Sequence, residues 1–213
     1  TGKQINRPSD DPSGARKVLG LNGEESQVQQ YFDNVMAAKE QISFTFNTLE
    51  GIQEILSQIK SLTIQASNDT LGQSERQIIA AELNQLMESV LQNVNTDNNG
   101  RYIFSGTKTS ASPFSATRDS NGRISSVSYN GNNEEIKYQI GSNTYIQVNL
   151  PGGALFQDNA IFSTLISMRD ELESSTYDSS TFLGLRKNLD TTANTILTES
   201  TNIGAKANRL ELT

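Results

Sequence analysis

The sequence predicts an α+β protein with helices at both ends of the chain and a small antiparallel β region between them. Apolar residues recur at alternating steps of three and four over residues 35–66, and at steps of seven over residues 182–210, which is helical spacing. In the middle, short runs of alternating apolar and polar residues are separated by Asn-Gly pairs, which is typical of hairpins. A hydrophobic content of 34% favours a thin, elongated core.

The first helix is predicted to begin at Pro12, with Asp11 as its N-cap, and to weaken at Gly20 and Gly23. From about residue 26 to residue 68 its pattern is strong. The expected core seam is Val35, Ala38, Ile42, Thr45, Leu49, Ile52, Leu56, Ile59, Thr63 and Ala66, with a second stripe of Phe46, Ile55 and Leu62. Two adjoining stripes predict packing against more than one helix.

A second helix is predicted after a turn at 68–72. Ser74 is its expected N-cap, and Gln77, three residues later, completes a capping box. Its apolar face would be Ile79, Leu83, Leu86, Val90 and Val94, and it would end in the turn formers Asp97 to Gly100.

The β region is predicted over about residues 101–156. Asn121-Gly122 and Asn130-Gly131 are the expected hairpin turns. Three alternating groups predict strands: Ile124, Val127 and Tyr129; Ile136, Tyr138 and Ile140; Ile146, Val148 and Leu150. Pro151-Gly152-Gly153 would end the region.

Two more helices are predicted at the C-terminal end. Asp158 is the expected N-cap of the first, whose face carries Phe162, Leu165, Ile166, Met168, Arg169 and Leu172. The last helix would run from about Ser180 to the end. It has large apolar residues at steps of seven and small residues between them, namely Phe182, Leu189, Ile196, Ile203 and Leu210, and Ala193, Ser200 and Ala207. This alternation lets neighbouring helices approach closely.

The composition argues against several classes of function. A formal net charge of −7 leaves no general basic surface for nucleic acid or anionic lipid. The chain contains no His and no Cys, so the commonest general base and metal ligands are missing. We expect no cofactor, no metal and no enzymatic activity. An enzyme could use only carboxylates, Lys, Tyr and Ser or Thr, and no spacing here supports such a set.

Three acidic segments have a catalytic or metal-binding interpretation beside a structural one. Asp10 and Asp11 could be paired catalytic carboxylates, but a turn and cap suits adjacent residues better. Segments 97–100 and 119–122 have a faint similarity to Ca²⁺ loops. Both lack the full ligand spacing and the closing Glu, so turn formation is the favoured interpretation.

Four segments point to a known family. Residues 5–15 are INRPSDDPSGA, residues 56–68 are LSQIKSLTIQASN, residues 99–109 are NGRYIFSGTKT, and residues 203–211 are IGAKANRLE. In this order they resemble the flagellin-like family of bacterial flagellins and hook-associated proteins. The prolines around Ser9-Asp10-Asp11 and the YIFSGT block are more similar to hook-associated members than to filament flagellins.

The resemblance implies an elongated antiparallel helical rod built from residues 1–100 and 158–213, with an inserted β domain at 101–157. It implies a structural subunit that is exported through the flagellar channel and adapts hook to filament at the hook–filament junction, outside the cell. Implied partners are a hook-side junction protein, flagellin or other flagellar subunits, an export chaperone, and further copies in a ring. It also implies that polymerising terminal segments lie outside this sequence. A short filament flagellin is the alternative within the family.

Four charged residues near the ends of the helical part are candidate contacts between subunits or between the first and last helices: Arg7, Asp10, Asp11 and Arg209. Ordinary solvated charges are an equal alternative, because surface ion pairs are common and weak. Outside the family, the alternative function is a secreted adhesin or receptor-binding module that uses the β region as its binding face.

Overall fold

The computed structural model describes residues 12–68, 71–158 and 160–211. The α+β class is confirmed, because long helices flank a region of short antiparallel strands. In chain order the elements are α1 (Pro12–Ala66), α2 (Gln73–Val94), β1 (Asp97–Asn98), β2 (Arg101–Tyr102), β3 (Phe114–Arg118), β4 (Ile124–Tyr129), β5 (Lys137–Gly141), β6 (Thr144–Gln147), a π-helical turn (Gly153–Gln157), α3 (Ile161–Glu173) and α4 (Ser179–Glu211).

Helix α1 is the central element of the bundle and packs against both α2 and α4. Its 55 residues would span about 80 Å at 1.5 Å per residue. The predicted seam is confirmed: every member from Ala38 to Ala66 is buried, and Val35 is half-buried. Gly20 and Gly23 do not interrupt the helix. The second stripe, of Phe46, Ile55 and Leu62, is half-buried against the same core, as two partner helices require.

Helix α4 runs antiparallel to α1 in a constant register. Lys39 pairs with Glu211 at 3.0 Å, and Lys60 pairs with Asp190 at 3.0 Å. Between these pairs, Gly204 lies against the Phe46 ring. In all three contacts, each residue forward along α1 corresponds to one residue backward along α4. The predicted heptad of α4 is confirmed by the burial of Phe182, Leu189, Ile196, Ile203 and Leu210.

The described strands form three separate antiparallel hairpins, β1–β2, β3–β4 and β5–β6. The predicted turn at Asn121-Gly122 is confirmed, since it joins β3 to β4 and Gly122 has φ +78°. The predicted turn at Asn130-Gly131 is wrong, because β4 and β5 do not pair. A Cβ at Gly131 would overlap the Tyr129 hydroxyl and the Ser105 carbonyl oxygen, so this glycine permits close packing.

Two predicted helix caps are also wrong. Helix α2 begins two residues earlier than expected, after extended Gly72, so Ser74 lies inside the first turn and no side chain caps the helix. Asp158 is helical, with φ −69° and ψ −30°, and its N–H donates to the Gly153 carbonyl oxygen, whereas an N-cap needs extended backbone. The chain enters α3 through Ala160 in the left-handed conformation instead.

Aromatic side chains join the β region to the helices. Phe114 lies 5.9 Å from the Phe156 ring and 5.9 Å from the Phe162 ring of α3, and Phe104 meets Phe156 edge-on at 5.2 Å. These contacts belong to a single hydrophobic core that runs from the hairpins into the bundle. The division into a rod, 1–100 and 158–213, and an inserted β domain, 101–157, stays a prediction. None of the described helices is both long and apolar enough to cross a membrane.

Candidate assembly surface

The N-terminal third of α1 carries an exposed apolar stripe that continues the α4-facing side of the helix. Stepping back by sevens from Lys39, which pairs with α4, leads to Phe32, then to the exposed and charged Glu25, and then to Val18. Stepping back from buried Ile42 leads to Val35, Val28 and Leu21. The exposed members are Val18, Leu21, Val28 and Phe32, which we call the α1 stripe.

The α1 stripe extends beyond the end of α4. Glu211 is the last described residue of α4, and its partner Lys39 lies seven residues after Phe32. Residues 12–34 are therefore level with no described part of α4 and extend for roughly 35 Å at 1.5 Å per residue. Val28 is 64% exposed and Phe32 is 59% exposed, whereas Ile42 and Leu49, in the same phase as Val28, are fully buried. Such a run of apolar side chains marks an interaction surface.

The β5–β6 hairpin contacts α1 within residues 12–34, at the end of that segment nearest α4. The Asn34 side chain donates to the Gln139 carbonyl oxygen at 2.7 Å, and the Gln139 amide donates to the Tyr31 hydroxyl at 3.5 Å. The hairpin supports α1 at these residues without covering Phe32 or Met36, both of which stay more than half exposed.

Arg169 of α3 holds the β3–β4 hairpin on the bundle. Its side chain is buried, and one nitrogen donates both to the Asn84 side-chain oxygen of α2, at 2.9 Å, and to the Ile124 carbonyl oxygen of β4, at 2.7 Å. Its other nitrogens pair with Asp170, which is half exposed. One buried cation thus joins α2, α3 and β4.

Two arginines of the same hairpin, exposed Arg118 and half-buried Arg123, add ion pairs to the helices. Arg118 forms a bidentate pair with Glu88 of α2, and this hydrogen bonding raises the pKa of Arg118. Arg123 donates to both oxygens of Glu173 of α3, at 2.6 and 2.7 Å, and also contacts Asp119. The hydrogen bonds to Glu173 are the main cause of the raised pKa of Arg123. The hairpin is therefore fixed in orientation by charge as well as by apolar packing.

Acidic residues in the turns have structural roles. The Asp119 carboxylate accepts from the backbone N–H groups of Asn121 and Arg123, and the bond from Arg123 is the main cause of its lowered pKa. Asp97 accepts from the N–H of Gly100 in the β1–β2 turn. These bonds confirm turn formation for both segments. The described residues contain no group of three or more acidic side chains that could hold a metal ion.

Asp178 immediately precedes α4 and caps its N-terminus. Its carboxylate accepts from the hydroxyl groups and backbone N–H groups of Ser180 and Thr181, which lowers its pKa to about 2. This cap was not predicted, although an Asp followed by Ser and Thr just before an apolar heptad was a signal for it.

Three of the four predicted contact residues lie outside the described part of the chain: Arg7, Asp10 and Asp11, with Asp11 also the predicted N-cap of α1. Arg209 is exposed in the last turn of α4, two residues before Glu211. A cation is favourable at a helix C-terminus. The α1 stripe was not predicted, because the seam was begun at Val35. The steps of seven back through Val28 and Leu21 were the signal for it.

Comparison with known proteins identifies the family. Residues 1–109, about half of the chain, match the sequence model of the bacterial flagellin N-terminal helical region. The chain therefore belongs to the bacterial flagellin family. Among curated proteins it is similar to flagellar hook-associated protein 3 of Escherichia coli K12, with 30% identity over 177 residues. That match covers 83% of this chain and 53% of the relative, so the chain spans about half the length of the curated relative.

Solved structures confirm the fold. The flagellar junction protein FlgL from Legionella pneumophila superposes with a TM-score of 0.78 at 17% identity, covering 92% of this chain and all of that chain. A flagellin from Bacillus cereus superposes with a TM-score of 0.57 at 19% identity, covering 83% of this chain and 84% of that one. The predicted resemblance to hook-associated members, with flagellin as a weaker relative, is confirmed.

Proposed function

We propose that this chain is a structural subunit of the bacterial flagellum that works at the hook–filament junction and adapts hook to filament. The similarity to hook-associated protein 3 over 83% of the chain supports a role at the hook–filament junction. The structural observation that carries the proposal is the α1 stripe, an apolar helix surface that its own described bundle leaves uncovered. A subunit that assembles with others needs such a surface.

The proposed mechanism separates a pre-formed body from an assembling end. The bundle shares one hydrophobic core, and two ion pairs between α1 and α4 and the Arg169 contacts join its elements. The α1 stripe pairs with antiparallel helical segments of the longer protein during assembly, as the family resemblance implies. Val18, Leu21, Val28 and Phe32 are about half to two-thirds exposed, so burying the rest would contribute roughly 1–2 kcal/mol for each side chain.

The partners follow from the same proposal. They are a hook-side junction protein, flagellin or other flagellar subunits, and further copies of this chain in a ring. An export chaperone would hold the subunit before passage through the flagellar channel to the outside of the cell. Arg7, Asp10, Asp11 and Arg209 are retained as candidate contacts between subunits. We also propose that the role is structural, without catalysis, because the described groups with displaced pKa values serve caps, ion pairs and buried packing.

Deletion of the full-length gene in its own bacterium, with complementation and localisation, tests this proposal. The expected result is hooks that persist without filaments, while flagellin leaks into the medium. Complementation with Val28→Glu and Phe32→Glu should fail to restore filaments, whereas Glu54→Gln, on the outward side of α1, should restore them.

The main alternative is a short filament flagellin, the class to which this fold has the weaker similarity reported above. Normal junctions with the bulk filament lost would establish that alternative. Intact motility after deletion would refute both flagellar roles and would favour a secreted adhesin or receptor-binding module. In that case the full chain should bind a ligand through the β region.

A further inference from the structure

We propose that Met36 of α1 is a site of methionine oxidation by hydrogen peroxide, and that its sulfoxide weakens assembly through the α1 stripe. The second half of this inference rests on the proposed function and adds a form of regulation to it. The first half does not, because the oxidation can be measured on the free subunit.

Exposure distinguishes Met36 from the other methionines of the chain. The sequence contains three methionines, and Met36 is 53% exposed, whereas Met87 of α2 and Met168 of α3 are fully buried. Oxidation of a side-chain sulfur depends on its exposure to the oxidant. The chain has no Cys, so no thiol competes for the peroxide. Peroxide should therefore modify this chain first at Met36.

The reaction transfers one oxygen atom to the thioether. A lone pair of the Met36 sulfur attacks one peroxide oxygen, the O–O bond breaks, and an S–O bond forms. The sulfur is oxidised and the peroxide is reduced, and its other oxygen leaves as water after a proton moves between the two oxygens. The product is a polar, chiral sulfoxide in place of a flexible apolar side chain, and methionine sulfoxide reductases reverse the change.

Met36 lies where α1 extends beyond α4. Lys39 pairs with Glu211, the last described residue of α4, and Met36 precedes Lys39 by three residues. Phe32 of the α1 stripe precedes Met36 by four residues, so these two positions are neighbours on one side of the helix. Met36 therefore continues the exposed apolar surface of the α1 stripe as far as the packed body.

The packed part of α1 indicates what a helix beside Met36 would cover. Ser57 follows Met36 by three steps of seven and lines the groove between α1 and α4 together with Ala193 and Leu197. Ser43, one step of seven after Met36, is half-buried. Position 36 is thus at the edge of the α4-facing side. An antiparallel helical segment that continued past the end of α4 would cover part of the Met36 side chain.

Oxidation changes the chemistry of that edge. The sulfoxide oxygen is a hydrogen-bond acceptor, and covering it without a donor costs free energy. Phe32 has no donor, Glu40 carries only acceptors, and the Lys39 ammonium is already paired with Glu211. Because water still reaches an edge position, we expect assembly to weaken by about three- to tenfold rather than to stop.

Peroxide treatment of the folded chain tests the oxidation step. Peptide mass spectrometry should show the gain of one oxygen at Met36 at least about tenfold faster than at Met87 or Met168. Treatment in denaturing urea, which exposes all three sulfurs, is the control and should remove the difference. Equal rates in the folded chain, or faster oxidation of a buried methionine, would overturn the inference.

Assembly of the full-length protein in the deletion strain tests the consequence. Met36→Gln places a polar acceptor at this position without any oxidant, and Met36→Leu keeps the position apolar. The Gln variant should be incorporated into flagella about three- to tenfold less than the Leu variant. Ile78→Gln, at a 68% exposed position of α2, is the matched control and should be incorporated as the wild type is.

The outcomes separate the two proposals. Equal incorporation of the two Met36 variants, or an equal loss for Ile78→Gln, would overturn a specific effect of the sulfoxide on assembly. Absence of the wild-type subunit from flagella would instead refute the proposed function. In that case the rates measured on the free subunit still decide whether Met36 is the oxidation site.

Discussion

Replacing Arg169 by Ala is expected to destabilise the protein far more than any exposed charge would. The Arg169 side chain is 4% exposed and donates to two buried acceptors, the Asn84 side-chain oxygen and the Ile124 carbonyl oxygen. Arg169→Ala leaves both without a donor, at about 1–3 kcal/mol each, and it also removes the packing of the side chain. We therefore expect a loss of roughly 3–5 kcal/mol in the free energy of unfolding.

Urea denaturation followed by circular dichroism measures this loss. With a slope of about 2 kcal/mol per molar urea, the midpoint should fall by roughly 1.5–2.5 M. Arg169→Met, which keeps the volume but not the donors, should fall nearly as far. Arg118→Ala, which breaks an exposed pair with Glu88, is the matched control and should shift the midpoint little. Equal shifts for Arg169→Ala and Arg118→Ala would show that the buried cation does not hold the hairpin.

Three other residues give independent tests. Folding lowers the pKa of Asp178 from 3.8 to about 2. The contribution of this cap to stability is therefore complete above about pH 4 and is lost as the pH falls through 2. The protection factors of the amides in the first turn of α4, corrected for intrinsic exchange, should fall only in that range, and a change in them between pH 7 and 5 would contradict this. Gly184→Ala, in open space on α4, should raise the free energy of unfolding by about 0.5–1 kcal/mol in urea titrations. Gly106→Ala should lower the free energy of unfolding by about 2 kcal/mol or more, because Gly106 has φ +69° and a Cβ there would overlap the Asn132 carbonyl oxygen. An unchanged urea midpoint for this variant would refute that geometry.

The helical part of the fold was predictable because its signal is periodic along one chain. The seam from Ala38 to Ala66 and the heptad from Phe182 to Leu210 are both buried as their spacing indicates. The helix was predicted from Pro12, and only the α1 stripe was missed, because the core seam was begun at Val35. Gly20 and Gly23 lower helix propensity, but a helix already nucleated downstream extends through them at small cost.

The features that sequence could not predict depend on residues distant along the chain. Arg169 was placed on the apolar face of α3, but its acceptors lie 85 and 45 residues away. Strand β3, from Phe114 to Arg118, alternates too weakly to predict and is held by pairing with β4. The entry to α3 depends on the π-helical turn before it, so Asp158 could not be a cap there.

The continuity of α1 has a mechanical consequence. The same 55-residue helix forms the N-terminal segment, residues 12–34, and the centre of the packed body, and no described proline or break divides the two. A tilt of the helix axis at one end therefore displaces the other end of the helix. Over about 80 Å, a tilt of 5° moves the far end by roughly 7 Å, which is more than one helical pitch. Such a lever would let a small angular difference between two neighbouring lattices be absorbed within one subunit.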